Sequence, residues 1–174
     1  GGQEWLRVKF NQIHGPKPYF RQFDSREDEI VALGNHISSL IVKEGVAASD
    51  ICLIYNSKSV ARLLEMNLAP RMAKIGVELS IQTNRPFERR PNTLLVTTSH
   101  SYKGYDAEIV LIPCADQFVT QNSQVLAANL YVAMTRARSI LGIYSQNRAN
   151  PAARTLNDIL EHCFVVLNTC YQVD

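Results

Sequence analysis

The run ICLIY at residues 51–55 constrains this chain more than any other stretch. Five consecutive apolar side chains of strand length show no polar alternation. Such a strand is covered on both faces, which is the situation of an inner strand in a parallel sheet. TLLVTT (93–98), AEIVLIP (107–113) and SILGIYS (139–145) are apolar runs of the same kind, VELSI (77–81) is a further strand, and YFRQF (19–23) alternates as a short one. Helical periodicity fills the gaps. Ser25 with Asp28 forms a capping box, and Ile30, Leu33, Ile37, Leu40 and Ile41 keep helical spacing up to Gly45, a natural residue just past a helix end. Val60, Leu64, Leu68 and Met72 make a second stripe, which Pro70 bends or ends. SQVLAANLYVAMTRAR (123–138) and ARTLNDILEHCFVVL (153–167) read as two more helices. Strands alternating with helices predict an α/β fold, a mostly parallel sheet with helices on both faces. In such sheets ligands collect at the carboxyl ends of the strands.

The 174 residues fit one domain with a single buried core, and 46% hydrophobic against 20% charged residues is a globular balance rather than a disordered one. Residues 1–18, with the turn HGPKP, read as an arm or incomplete element, which leaves 19–174 as the domain. A net charge of +2 is too small to argue for nucleic acid by its sum, so that argument rests on where the charges sit. Cys52, Cys114, Cys163 and Cys170 form no C-x-x-C pair and lack histidines at zinc spacing, which predicts free thiols in a reducing compartment. No apolar run approaches the roughly 20 residues needed to span a bilayer. The expectation is a soluble, cytoplasmic domain with no membrane partner.

Three segments concentrate residues able to do chemistry. In TTSHSYKGYDAEIVLIP (97–113), two strand-like runs flank His100, Lys103, Gly104 and Asp106. Gly104 lets backbone approach a ligand, Lys103 is a point charge suited to phosphate, and Asp106 can accept from ribose hydroxyls. A solvated crossover loop is the competing reading. In NLYVAMTRARSILGIY, Arg136 and Arg138 stand where a helix gives way to a strand, able to reach a phosphate on a neighbouring domain or merely to offset a helix dipole. In IYNSKSVARLLE, Lys58 and Arg62 share a helix face as a like-charge pair partly offset by Glu65. Arg85, Arg89 and Arg90 form a basic loop suited to a nucleic-acid backbone or to plain solvent. His14, His36 and His162 stand apart and read as structural or exposed. The chain contains no G-x-x-x-x-G-K-[ST] phosphate loop, no G-x-S-x-G elbow and no H-E-x-x-H.

Taken together, the three segments resemble the motifs of UvrD/Rep-like superfamily 1 helicases, in the same order, over roughly residues 48–146. VTTSHSYKGYDAEIVLIP is similar to T-x-H-x-x-K-G-[LM]-E-[FW]-x-x-V, and NLYVAMTRARSILGIY to L-x-Y-V-[AG]-x-T-R-A. DICLIYNSKSVARLLE resembles D-I-x-[VI]-L-x-R followed by S-R-x-L-E, with Asn56 where the family often has Arg and Lys58 where Asn is common. The resemblance implies a RecA-like, P-loop NTPase-type three-layer sandwich: the C-terminal motor domain of an ATP-dependent DNA helicase, in a compact version without a large accessory insertion. By the same resemblance Arg136 is the arginine finger. Lys103, Gly104 and Asp106 (for the usual Glu) face the nucleotide, while Thr98, His100, Lys58 and Arg62 meet single-stranded or partly duplex DNA. ATP with Mg2+ is held mainly by an N-terminal RecA-like domain of the same chain, so this piece is inactive by itself. The alternative is a non-catalytic RecA-like module that docks nucleic acid or protein.

Overall fold

The computed structural model describes residues 19–82, 89–99, 101, 106–120, 133 and 135–146. They build one six-stranded sheet in which every neighbouring pair is parallel. The strands are β1 (Tyr19–Phe23), β2 (Ile51–Tyr55), β3 (Glu78–Gln82), β4 (Thr93–Thr98), β5 (Ala107–Ile112) and β6 (Ala137–Gln146), in the order β1-β6-β5-β2-β4-β3. The helices are α1 (Arg26–Ser38), α2 (Lys58–Asn67) and α3 (Ala69–Ala73).

ICLIY takes the inner position its composition requires. β2 lies between β4 and β5, with Leu53 level with Val96 on one side and Leu111 on the other. Every residue of β2 is buried. On one face Ile51, Leu53, Tyr55, Leu94, Val96, Ile109 and Leu111 pack with Ile30, Leu33 and Ile37 of α1 and with Val60, Leu64, Leu68 and Met72 of the α2–α3 pair. The alternate residues Cys52, Ile54, Leu95, Val110 and Ile112 point to the other face and are buried as well. The helices predicted at 123–138 and 153–167, and the arm at 1–18, lie outside the described residues apart from positions 133 and 135–138.

Local chemistry explains the element boundaries. Ser25 caps α1, its hydroxyl accepting from the Asp28 N–H at 3.0 Å. The expected run to Gly45 is not a single α-helix: after Ser38 the chain loosens into a π turn over Ser39–Lys43, and Gly45 then takes a φ of 72°. The second stripe breaks at Leu68, where α2 ends and α3 begins, because Pro70 in the first turn of α3 brings no N–H to continue the ladder. All four residues of the stripe stay buried across that break.

Gly142 has a specific job. A Cβ placed there would stand 2.9 Å from Leu111 Cδ2 and closer still to the Tyr19 ring. The bare backbone lets Tyr19 lie across the sheet, where its hydroxyl is 2.7 Å from Tyr144 Oη and 2.7 Å from His36 Nδ1. Burial lowers the His36 pKa, favouring the neutral ring that can accept from a tyrosine hydroxyl. Gly142→Ala is expected to cost about 1–3 kcal/mol through overpacking. The readout is a lower urea midpoint at unchanged slope. An unchanged midpoint contradicts this role for Gly142.

Candidate functional site

Because all six strands run in one direction, the sheet has a carboxyl edge and an amino edge. The sequence expectation put the loop of His100, Lys103, Gly104 and Asp106 at the carboxyl edge. His100, Lys103 and Gly104 lie outside the described residues. Asp106 belongs to the other edge: it immediately precedes β5, whereas Thr98 ends β4. The reason is topological. β4 and β5 run parallel with β2 between them, so the chain leaves β4 at one edge of the sheet and must return to enter β5 at the other.

At the amino edge this return brings Asp106 beside residues from two other strand starts. Arg136 immediately precedes β6, and its carbonyl accepts from the Ala107 N–H at 3.0 Å. Arg136 Nη1 lies 3.8 Å from Asp106 Oδ1, and Arg138 Nη2 lies 3.8 Å from Asp106 Oδ2. Both contacts are ion pairs beyond hydrogen-bond length. Arg89, just ahead of β4, donates from Nη2 to the Asp106 carbonyl at 2.9 Å and lies 3.9 Å from Asp50, which precedes β2. Arg89 therefore serves the amino edge, apart from Thr98 and Lys58.

The Arg136 side chain is 19% exposed, against 48% for Asp106 and 54% for Arg138. Its Nε is buried and has no hydrogen-bond partner among the described residues. A guanidinium has five donors in a fixed fork, so this one retains capacity for an oxyanion. Sequence reasoning took Arg138 as part of a helix end; it is the second residue of β6, beside a register shift between Ala107 and Ile109.

The carboxyl edge holds Thr98, Lys58 and Arg62. Thr98 Oγ1 accepts from the Ser101 N–H at 3.2 Å and donates to Ser101 Oγ at 3.1 Å, closing a local turn. Lys58 opens α2, and Arg62 follows one turn later; both are exposed. Among the described residues no ion pair joins Arg62 to Glu65, so the expected offset of the like-charge pair is not made. Exposed pairs of long side chains gain too little to hold one geometry. Asn56 donates from Nδ2 to the Gln117 carbonyl at 2.8 Å, while its buried Oδ1 has no hydrogen-bond partner among the described residues.

Sequence reasoning missed a buried network at this same edge. Arg26 forks onto Asp116 at 2.9 and 2.7 Å and also reaches Glu29 at 2.9 Å. Glu29 Oε2 accepts from the Cys114 N–H at 3.0 Å, and Asp116 Oδ1 from the Gln146 N–H at 3.0 Å and the Ser145 hydroxyl at 3.2 Å. Burial pushes both carboxyl pKa values up. For Asp116 the Arg26 fork and the Gln146 N–H outweigh it and hold the value below the usual range; for Glu29 burial wins and the value is raised. The one trace in the sequence was Glu29 lying four residues before Leu33 on the apolar stripe of α1.

Among the described residues no cluster of histidine, cysteine and carboxylate could hold a metal ion. The amino edge offers guanidinium groups, which fit phosphate rather than Mg2+. No helix of the described residues is long and apolar enough to cross a membrane.

The fold is similar to that of the C-terminal domain of a possible DNA helicase from Lactobacillus plantarum WCFS1, with a TM-score of 0.56 over 89% of this chain and 92% of that one. The fold is α/β and RecA-like. At 18% identity the likeness carries the fold alone. No protein-family model and no curated protein matches the chain.

Proposed function

We propose that this chain is the C-terminal, second RecA-like domain of a UvrD/Rep-like, ATP-dependent DNA helicase or translocase. In this reading Arg136 completes the charge around the γ-phosphate of an ATP·Mg2+ held by an N-terminal RecA-like domain. Thr98, Lys58 and Arg62 lie along the single-stranded DNA path, and His100, Lys103 and Gly104 keep the roles that the motif resemblance implies. The observation carrying the proposal is the pairing of Asp106 with Arg136 on one edge. The two motifs assigned to nucleotide meet there, from different parts of the sequence, while the described residues assigned to DNA stand on the opposite edge.

The chemistry follows from that division. Phosphoryl transfer spreads charge over equatorial oxygens, and a guanidinium brought to them from a second domain couples hydrolysis to closure of the cleft. DNA contacts made by side chains to the backbone suit stepping without regard to sequence. ATP hydrolysis by a chain joining this domain to an ATP-binding RecA-like domain is expected to rise with single-stranded DNA; hydrolysis indifferent to DNA contradicts the proposal. Lys58→Ala with Arg62→Ala is expected to reduce the salt dependence of single-strand binding. Each DNA phosphate that a cation no longer neutralises should take roughly 0.7 from the slope of log K against log salt. An unchanged slope removes these two residues from the DNA path.

A further inference from the structure

Two of the described carboxylates, Asp116 and Asp106, are held to arginine in different ways. Asp116 is gripped by one guanidinium through both oxygens, at 2.9 and 2.7 Å. Asp106 is shared between two guanidiniums, one oxygen to each, at 3.8 Å. The first is a buried fork at the length of a charge-assisted hydrogen bond; the second is a half-exposed contact of the kind that contributes little. The shared carboxylate is therefore easily replaced.

Its surroundings favour replacement by something larger and more charged. Between Ala137 and Ile140 of β6 two residues, Arg138 and Ser139, stand opposite the single residue Glu108 of β5. Such a bulge re-aims a side chain. Ser139 takes Glu108 through its hydroxyl, which leaves Arg138 with Asp106. Arg89 fixes the Asp106 backbone through its carbonyl, so rotation of the Asp106 side chain alone is enough to free both arginines.

We infer that Arg136 and Arg138 form a paired phosphate site and that Asp106 is its resident stand-in, holding the two guanidiniums together until a phosphate group displaces it. This rests on the reading of the amino edge as nucleotide-facing. It adds Arg138 as a phosphate ligand and makes Asp106 a competitor of phosphate, in place of a ribose contact.

The test is calorimetric titration of the 174-residue chain with inorganic tripolyphosphate, which has neither ribose nor base, at low ionic strength. Asp106→Asn is expected to tighten binding roughly tenfold, because one charged competitor is removed, and Arg138→Ala to weaken it by a similar factor. Glu108→Gln, which makes the same change in net charge at the same edge, is expected to alter affinity less than about twofold. The inference is overturned if Asp106→Asn binds no tighter than Glu108→Gln, or if Arg138→Ala binds as the unmodified chain does. Failure to detect binding by Asp106→Asn overturns it as well. None of these results touches the loss of ATP turnover expected on removing Arg136, so the two readings fail separately.

Discussion

In a chain that carries this domain together with an ATP-binding RecA-like domain, Arg136→Ala is expected to lower DNA-stimulated ATP turnover by roughly 10³–10⁵, the contribution of a finger arginine to phosphoryl transfer. KM for ATP should change far less, because an interaction made chiefly in the transition state appears in kcat. Arg136→Lys should remain strongly impaired. A point charge on a flexible stem cannot reproduce the planar fork. The backbone of Arg136 is fixed by the hydrogen bond its carbonyl accepts from the Ala107 N–H, so the variant loses a side chain without releasing the strand. Turnover at the parental rate removes Arg136 from the chemistry.

The second large effect concerns folding. Arg26→Met is expected to destabilise the domain by about 3–5 kcal/mol, since it leaves Glu29 and Asp116 buried without their counter-charge. That is a large part of the roughly 5–15 kcal/mol that keeps a domain folded. Adding Glu29→Gln and Asp116→Asn to Arg26→Met should recover much of the loss, because the uncompensated charge is then gone. The acid response carries a defined sign. The Asp116 pKa is depressed in the folded state, so its contribution is present above the ordinary carboxylate value of about 4 and disappears as pH falls through the folded value. Without Arg26 the fork that opposes burial is gone, so the depression, and with it the stability lost on acidification through Asp116, becomes smaller. Equal urea midpoints for Arg26→Met and the unmodified chain would show that the network carries no stability.

Much of the fold was legible because it depends on local pattern. ICLIY announced an inner strand, TLLVTT and AEIVLI became strands at the residues they span, and the stripe of Val60, Leu64, Leu68 and Met72 marked a helical face that Pro70 divides. What depends on distant pairing was not legible. Arg26 and Asp116 are 90 residues apart, and neither periodicity nor spacing connects them. The edge on which Asp106 lies depended on strand order: with β2 between β4 and β5, a loop that begins at the carboxyl edge delivers its last residue to the amino edge. The start of β6 was obscured because MTRAR continues a helical pattern, although the strand begins at Ala137. Arg89 read as one member of a basic run, and only the parallel pairing of β3 with β4 brings it to Asp106.

On the proposed reading, Arg136 leaves Asp106 for a phosphate held by another domain. A structure of the two-domain chain on single-stranded DNA with ADP and aluminium fluoride tests it most directly. The expected result is an Arg136 guanidinium nitrogen within about 3 Å of the phosphoryl mimic, with its contact to Asp106 broken. Arg136 still resting against Asp106, beside a mimic fully ligated by other groups, contradicts the account.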